Sequence, residues 1–161
     1  MRAPAVSGGY HPIVVIGIGE AAPPIAGVDR DRAHALVFFK VTCSTTQIAA
    51  PALERLGVAY PGRVTGIAQD PPHDIEAFGA TYGIGFPMLP DLSPYEASNA
   101  YGISVAPTVV VVDGDGRVAD VAVSWDREAH NRASAVLAGL LGVEPIEVSR
   151  PGDGLPDFKP G

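Results

Sequence analysis

The run Val109-Val110-Val111-Val112, followed by Asp113-Gly114-Asp115-Gly116 and then by Val118 to Val123, leaves this chain few choices of fold. Four β-branched residues in a row disfavour helix and suit a pleated strand. The Asp/Gly tetrad supplies the residues that turn a chain back on itself, so Thr108 to Val112 and Val118 to Val123 read as two antiparallel strands of a hairpin. A calcium loop is a poor alternative for the tetrad, which lacks the remaining ligands and terminal Glu of such a loop. Upstream, Ala35-Leu36-Val37-Phe38-Phe39 and Val64 to Ala68 are short apolar runs without alternation, as expected of strands buried on both faces. Helical patterns fill the intervals at Thr45 to Leu56, Asp74 to Tyr82, Pro94 to Tyr101 and about Asp126 to Leu141. That order predicts an α/β fold: a mixed central sheet, parallel early and antiparallel late, flanked by helices.

A length of 161 residues with 47% hydrophobic content suits one compact domain. Its expected extent is 12–142, preceded by a flexible segment over 1–11 and followed by a Pro/Gly-rich tail over 143–161 with little to bury. No window approaches the roughly 18 uninterrupted apolar residues of a membrane span. The opening residues carry one basic side chain and no apolar block behind it, unlike a secretory signal, so a cytoplasmic address is expected. A net charge of −7 without a Lys/Arg cluster argues against nucleic acid and anionic membranes as partners. Nothing in the sequence sets an oligomeric state.

The single cysteine, Cys43, rules out an internal disulfide framework. It follows the apolar strand ending at Phe39 and directly precedes a helix. There a sulfur meets free backbone N–H groups and the positive end of the helix macrodipole, an environment that favours thiolate. Lys40 is near in sequence, and Thr46, one helical turn on, is placed to donate a hydrogen bond to the sulfur. A lone cysteine is otherwise most often a small buried hydrophobe.

The segment Phe38-Phe39-Lys40-Val41-Thr42-Cys43-Ser44-Thr45-Thr46, with Pro51 eight residues beyond the cysteine, resembles the active-site strand, loop and first helix of thioredoxin-like proteins. Gly19 to Ile25, Gln69-Asp70, Phe86 to Asp91, Tyr101 to Thr108 and Asp113 to Val118 resemble, in order, further segments of the TlpA-type and peroxiredoxin-related branch, over roughly residues 13 to 141. The resemblance implies a thioredoxin-like fold, Cys43 as nucleophile and Pro107 as a cis-proline facing it. A cis X-Pro bond would turn the carbonyl of Ala106 toward a docking partner. Thr42, Ser44, Thr45 and Ala106 would then form the surface that meets substrate. Two departures matter: Thr42 stands where an aromatic residue is common, and Thr46 stands where the family has its second cysteine. A hydroxyl cannot resolve a mixed disulfide as a thiolate does.

The chemistry that remains is monothiol exchange with a disulfide- or thiol-bearing protein or with a small thiol such as glutathione, with no cofactor or metal. Two alternatives stand beside it. One-cysteine peroxide reduction, an antioxidant activity, passes through a sulfenic acid on one thiol. Its motif places proline seven and threonine three residues before the cysteine, where this chain has Leu36 and Lys40. The other alternative is a binding module without catalysis, or an ordinary dithiol site altered at Thr46.

The remaining motifs read as structural. Gly17-Ile18-Gly19-Glu20-Ala21-Ala22 matches a dinucleotide-binding turn, but Pro23-Pro24 forbids the helix that would hold a pyrophosphate. His11, His34, His73 and His130 show no ligand spacing and are expected at the surface. Asp91 and Asp120 are expected near the sheet's edge, Trp125 at the start of the last helix, and Tyr95 and Tyr101 on one helix face.

Overall fold

The computed structural model describes residues 14–161; the expected flexible segment 1–11 and His11 lie outside them. The elements run β1 (His34–Phe39), α1 (Ser44–Ala59), β2 (Val64–Ala68), α2 (Pro72–Tyr82), β3 (Met88–Pro90), α3 (Glu96–Ala100), β4 (Thr108–Val112), β5 (Val118–Val123), β6 (Trp125–Asp126), α4 (Arg127–Leu141) and β7 (Phe158–Lys159). Five strands form one mixed sheet in the order β3-β2-β1-β4-β5. β1, β2 and β3 are parallel, and β4 runs antiparallel to both β1 and β5. β3 escapes a reading by propensity because it is three residues long and bracketed by Pro87 and Pro90, which only an edge strand tolerates.

The apolar runs without alternation have a direct cause: both faces of the central strands are covered. Ala35, Val37, Phe39, Val109 and Val111 face a core built with Leu53, Leu56, Ile75, Phe78, Ala133 and Leu137 from the helices. Leu36, Phe38, Val110 and Val112 face a second core with Ile67, Val118 and Tyr101, packed by Ile16, Ile25 and Val28 of the entry segment. That segment is tied to the hairpin through Gly19 N–H to the Val118 carbonyl and Ala22 N–H to the Gly116 carbonyl. No helix follows Gly17–Gly19, in line with the rejection of a dinucleotide turn. Burial pushes the Tyr101 phenol up to about 12, and its hydroxyl donates to the Pro23 carbonyl at 2.6 Å.

The hairpin turn is held by Asp113, whose carboxylate accepts the N–H groups of Asp115 and Arg117. Asp120 pairs with Arg132 of α4. The Asp91 carboxylate accepts the N–H groups of Ala97 and Ser98 and the Ser98 hydroxyl, tying down α3.

Three expectations are corrected. The end of the chain is not weakly structured: Val148 and Ser149 are buried, and β7 pairs with β6. It is anchored by polar groups rather than by apolar bulk. Arg127 donates to Ser149 Oγ, to the Leu155 carbonyl and to Asp157. The Trp125 indole donates to the Pro156 carbonyl at 2.7 Å, and Asn131 exchanges bonds with Val148 and Ser149. His34 and His130 are buried rather than at the surface, because strand β1 and the inner face of α4 carry them into the interior; only His73 is exposed among the described histidines. Tyr95 and Tyr101 do not share a face: Tyr95 sits exposed at the left-handed start of α3, while Tyr101 is fully buried.

Tyr60 ties three parts together, its hydroxyl bonding Ser134 Oγ at 2.8 Å and accepting the Ile146 N–H at 3.3 Å. Tyr60→Phe leaves the buried Ser134 and the Ile146 N–H short of a bond, and urea denaturation should show a loss of about 1–3 kcal/mol; an unchanged midpoint would refute the anchoring role. His130 packs its ring 4.8 Å from Trp125, donates from Nδ1 to the Asp126 carbonyl, and has no partner at Nε2. Burial holds both His130 and His34 below the ordinary histidine value. The unfolded chain therefore binds protons that the fold refuses, so stability falls as pH drops below about 6.5. Melting at pH 7.5 and 5.5 should show this loss, and His130→Phe should reduce it.

Candidate active site

The carboxyl ends of β1 and β2 lie side by side, and the chain leaves β1 through a short loop into α1. Gln69 N–H donates to the Phe39 carbonyl, so the two strand ends stay paired up to the loop. Val41 N–H donates to the buried carboxylate of Asp70 at 2.9 Å, and the Gln47 side chain donates back to the Val41 carbonyl at 2.9 Å. Cys43 N–H donates to the Lys40 carbonyl, and the Cys43 carbonyl accepts the first helical bond from Gln47 N–H. Cys43 is the N-cap of α1, with extended backbone and no side-chain cap. An N-cap without a capping side chain leaves first-turn N–H groups directed past the sulfur.

The sulfur is half-buried and donates to the Ala106 carbonyl at 3.4 Å. The Ala106–Pro107 peptide bond is cis, as is Ser93–Pro94. Thr108 Oγ1 donates to the Val105 carbonyl and steadies the loop before β4. Pro107 itself is buried, so Ala106 is the residue of this pair that meets the sulfur. Beside Cys43 opens a cavity of about 270 Å³ whose lining includes Lys40, Gln69, Ser98, Ser104 and Ala106.

Among the candidates from sequence, Cys43, Ala106 and Pro107 converge, and Thr42 and Ser44 stand exposed on either side of the sulfur. Thr45 is buried, and its hydroxyl is taken by the Pro160 carbonyl at 2.7 Å. Thr46 departs from expectation: its side chain is fully buried and its hydroxyl has no hydrogen-bond partner, so it donates nothing to the sulfur. The cause is geometric, since Thr46 lies on the buried side of α1 while Cys43 turns to Ala106. Asp70 and Gln47, which shape the loop, have no local sequence signal as site residues; Asp70 is legible only once β1 and β2 are known to be neighbours. No group of three or more His, Cys, Asp or Glu side chains among the described residues could hold a metal ion. No helix among them is long and apolar enough to cross a membrane.

No family model matches the chain, and no curated protein matches it. Solved structures do. A secreted disulfide oxidoreductase of Mycobacterium tuberculosis homologous to E. coli DsbE superposes with a TM-score of 0.58 at 21% identity, over 71% of this chain and 86% of that one. A thiol:disulfide interchange protein of the thioredoxin family from Chlorobium tepidum gives 0.62 at 22% identity, over 79% and 99%. The thioredoxin domain of a thiol-disulfide oxidoreductase from Bacteroides vulgatus gives 0.63 at 16% identity, over 76% and 99%. The mixed five-stranded sheet, the helix that begins at Cys43 and these superpositions agree on one architecture: the chain has the thioredoxin-like fold.

Proposed function

We propose that this protein is a thiol–disulfide exchange protein that works with one thiol, Cys43. The observation that carries this reading is the placement of a half-buried sulfur at the N-cap of α1, 3.4 Å from the Ala106 carbonyl and at the mouth of a cavity. The solved structures it resembles include disulfide oxidoreductases, which supports the same chemistry.

In the first step the Cys43 thiolate attacks one sulfur of a disulfide R–S–S–R′. The S–S bond breaks, a Cys43–S–S–R bond forms, and R′–S⁻ leaves with the electron pair and takes up a proton from water. In the second step an external thiolate R″–S⁻ attacks the sulfur that carries R; the mixed S–S bond breaks, the disulfide R″–S–S–R forms, and the Cys43 thiolate leaves with the electron pair. No second protein thiol is needed. The buried Thr46 hydroxyl, unable to act as a resolving group, is consistent with release by an external thiol. Pro107 fixes the turn that presents the Ala106 carbonyl, and Thr42 and Ser44 form the exposed rim against which the partner rests. The exposed ammonium of Lys40 at the cavity suits a small thiol that carries a carboxylate, such as glutathione.

Glutathione disulfide with the purified protein should give a mixed disulfide on Cys43, seen as a mass increase that excess glutathione reverses, and Cys43→Ser should abolish it. Absence of the adduct would refute the exchange reading. Consumption of hydrogen peroxide with a sulfenic adduct on Cys43, and no exchange, would establish peroxide reduction instead. Thr46→Cys puts a second sulfur one helical turn from Cys43, and the variant should release its mixed disulfide without added thiol.

A further inference from the structure

The last described residues reach the candidate site from outside it. Pairing of Trp125 with Lys159 and of Asp126 with Phe158 lays the chain beside the start of α1. Thr45 Oγ1, in the first turn of α1, donates to the Pro160 carbonyl at 2.7 Å. Gly161 N–H donates to Ser124 Oγ at 3.1 Å. Gly161 lies so close to the loop before Pro107 that an added Cβ would overlap the Ala106 carbonyl oxygen and lie 2.6 Å from Val105 Cγ1. That carbonyl is the one to which the Cys43 sulfur donates. The Val105–Ala106 segment beside the sulfur thus has Gly161 against it on one side and, on the other, the cavity of about 270 Å³ that it lines together with Lys40 and Gln69.

We propose that Phe158–Gly161 is a specificity-determining strap that restricts exchange at Cys43 to low-molecular-weight thiols and disulfides and excludes disulfides carried on polypeptides. This rests on the exchange chemistry proposed above. An extended polypeptide docks by laying its backbone along free backbone groups of its host. Next to the sulfur the host backbone is that of Val105 and Ala106, and Gly161 occupies the space against it. A small disulfide needs no such run. The cavity of about 270 Å³, slightly below the roughly 300–1,000 Å³ of pockets for drug-sized ligands, is of a size that suits a small thiol. The strap is held by side chains of α1 and of the β5–β6 junction, so it is part of the site's wall.

The test uses the full chain with Ser124→Ala and Thr45→Val combined, which removes both bonds to Pro160–Gly161 and leaves Phe158–Lys159 paired. Two rates on Cys43 are compared: alkylation by iodoacetamide, and alkylation by a maleimide coupled to an unstructured peptide of about 20 residues. The variant should raise the peptide-to-small-reagent rate ratio about tenfold, as expected for loss of two hydrogen bonds. Thr45→Ser, which keeps the hydroxyl, should retain the parent ratio. Should the double variant melt early, the Ser124→Ala single variant reads the same ratio with a smaller change. A ratio unchanged in a folded variant overturns the strap whatever the exchange assay gives. A raised ratio with no glutathione disulfide exchange in either protein overturns the exchange function, and with it the selectivity, so the two failures are told apart.

Discussion

β1 and β4 lie next to each other at the middle of the sheet, antiparallel, with Phe38 opposite Thr108. In that register the chain leaving β1 and the chain entering β4 emerge at the same end of the sheet. The loop from Lys40 to Thr42 and the loop ending in Ala106–Pro107 must therefore meet, although 63 residues separate Cys43 from Ala106. A slip of one residue would exchange the two faces of Val109–Val112 and drive side chains from one packed core into the other. Both cores are filled, so the register has no neighbouring alternative. The contact between the sulfur and the Ala106 carbonyl is a consequence of sheet packing rather than of any attraction between the two loops.

The C-terminal segment depends on a different kind of interaction. It buries few apolar groups, Val148 among them, and is secured by Arg127, Asn131, Trp125 and Tyr60 donating to, or accepting from, its backbone and hydroxyls. Arg127 is itself buried, and its guanidinium fork spreads over Ser149, Leu155 and Asp157 together, a use that Lys could not reproduce. Asp153 accepts from the Leu155 N–H, the Ser149 hydroxyl and the Arg150 N–H, which holds its carboxyl far below the usual carboxylate range. Through these bonds α4 sets the path of the chain from 146 onward, and that path ends against the start of α1 and the loop before Pro107.

Around Cys43 the polar groups are divided between those that shape the loops and those that stand exposed. Asp70 and Gln47 satisfy Val41, and Thr108 satisfies Val105, so both loops are held by bonds within the protein. What stays open near the sulfur is Lys40, Thr42 and Ser44. Thr46, one helical turn on from Cys43, has a hydroxyl that neither bonds the sulfur nor finds another partner. Such an unpaired buried hydroxyl carries a desolvation cost without a compensating bond.

The strands β1, β2, β4 and β5 were legible from local pattern alone, because residues buried on both faces leave continuous apolar runs and because Asp/Gly tetrads turn hairpins. The four helices were legible within a few residues, and so was the place of Cys43 ahead of α1, which follows from where an apolar run stops and a helical period starts. Local pattern carries no information about partners far along the chain. Strand β3 is too short to have a period, β6 and β7 exist only as a pair between segments on either side of α4, and the burial of His130 depends on which face of α4 meets Trp125. The roles of Asp70, Thr45 and Gly161 likewise arise only when separate segments are packed together. By itself the sequence determined the order of elements and the place of the one sulfur ahead of α1; tertiary structure decided what surrounds that sulfur, because hydrogen bonds between distant segments leave no periodic trace in the chain that makes them.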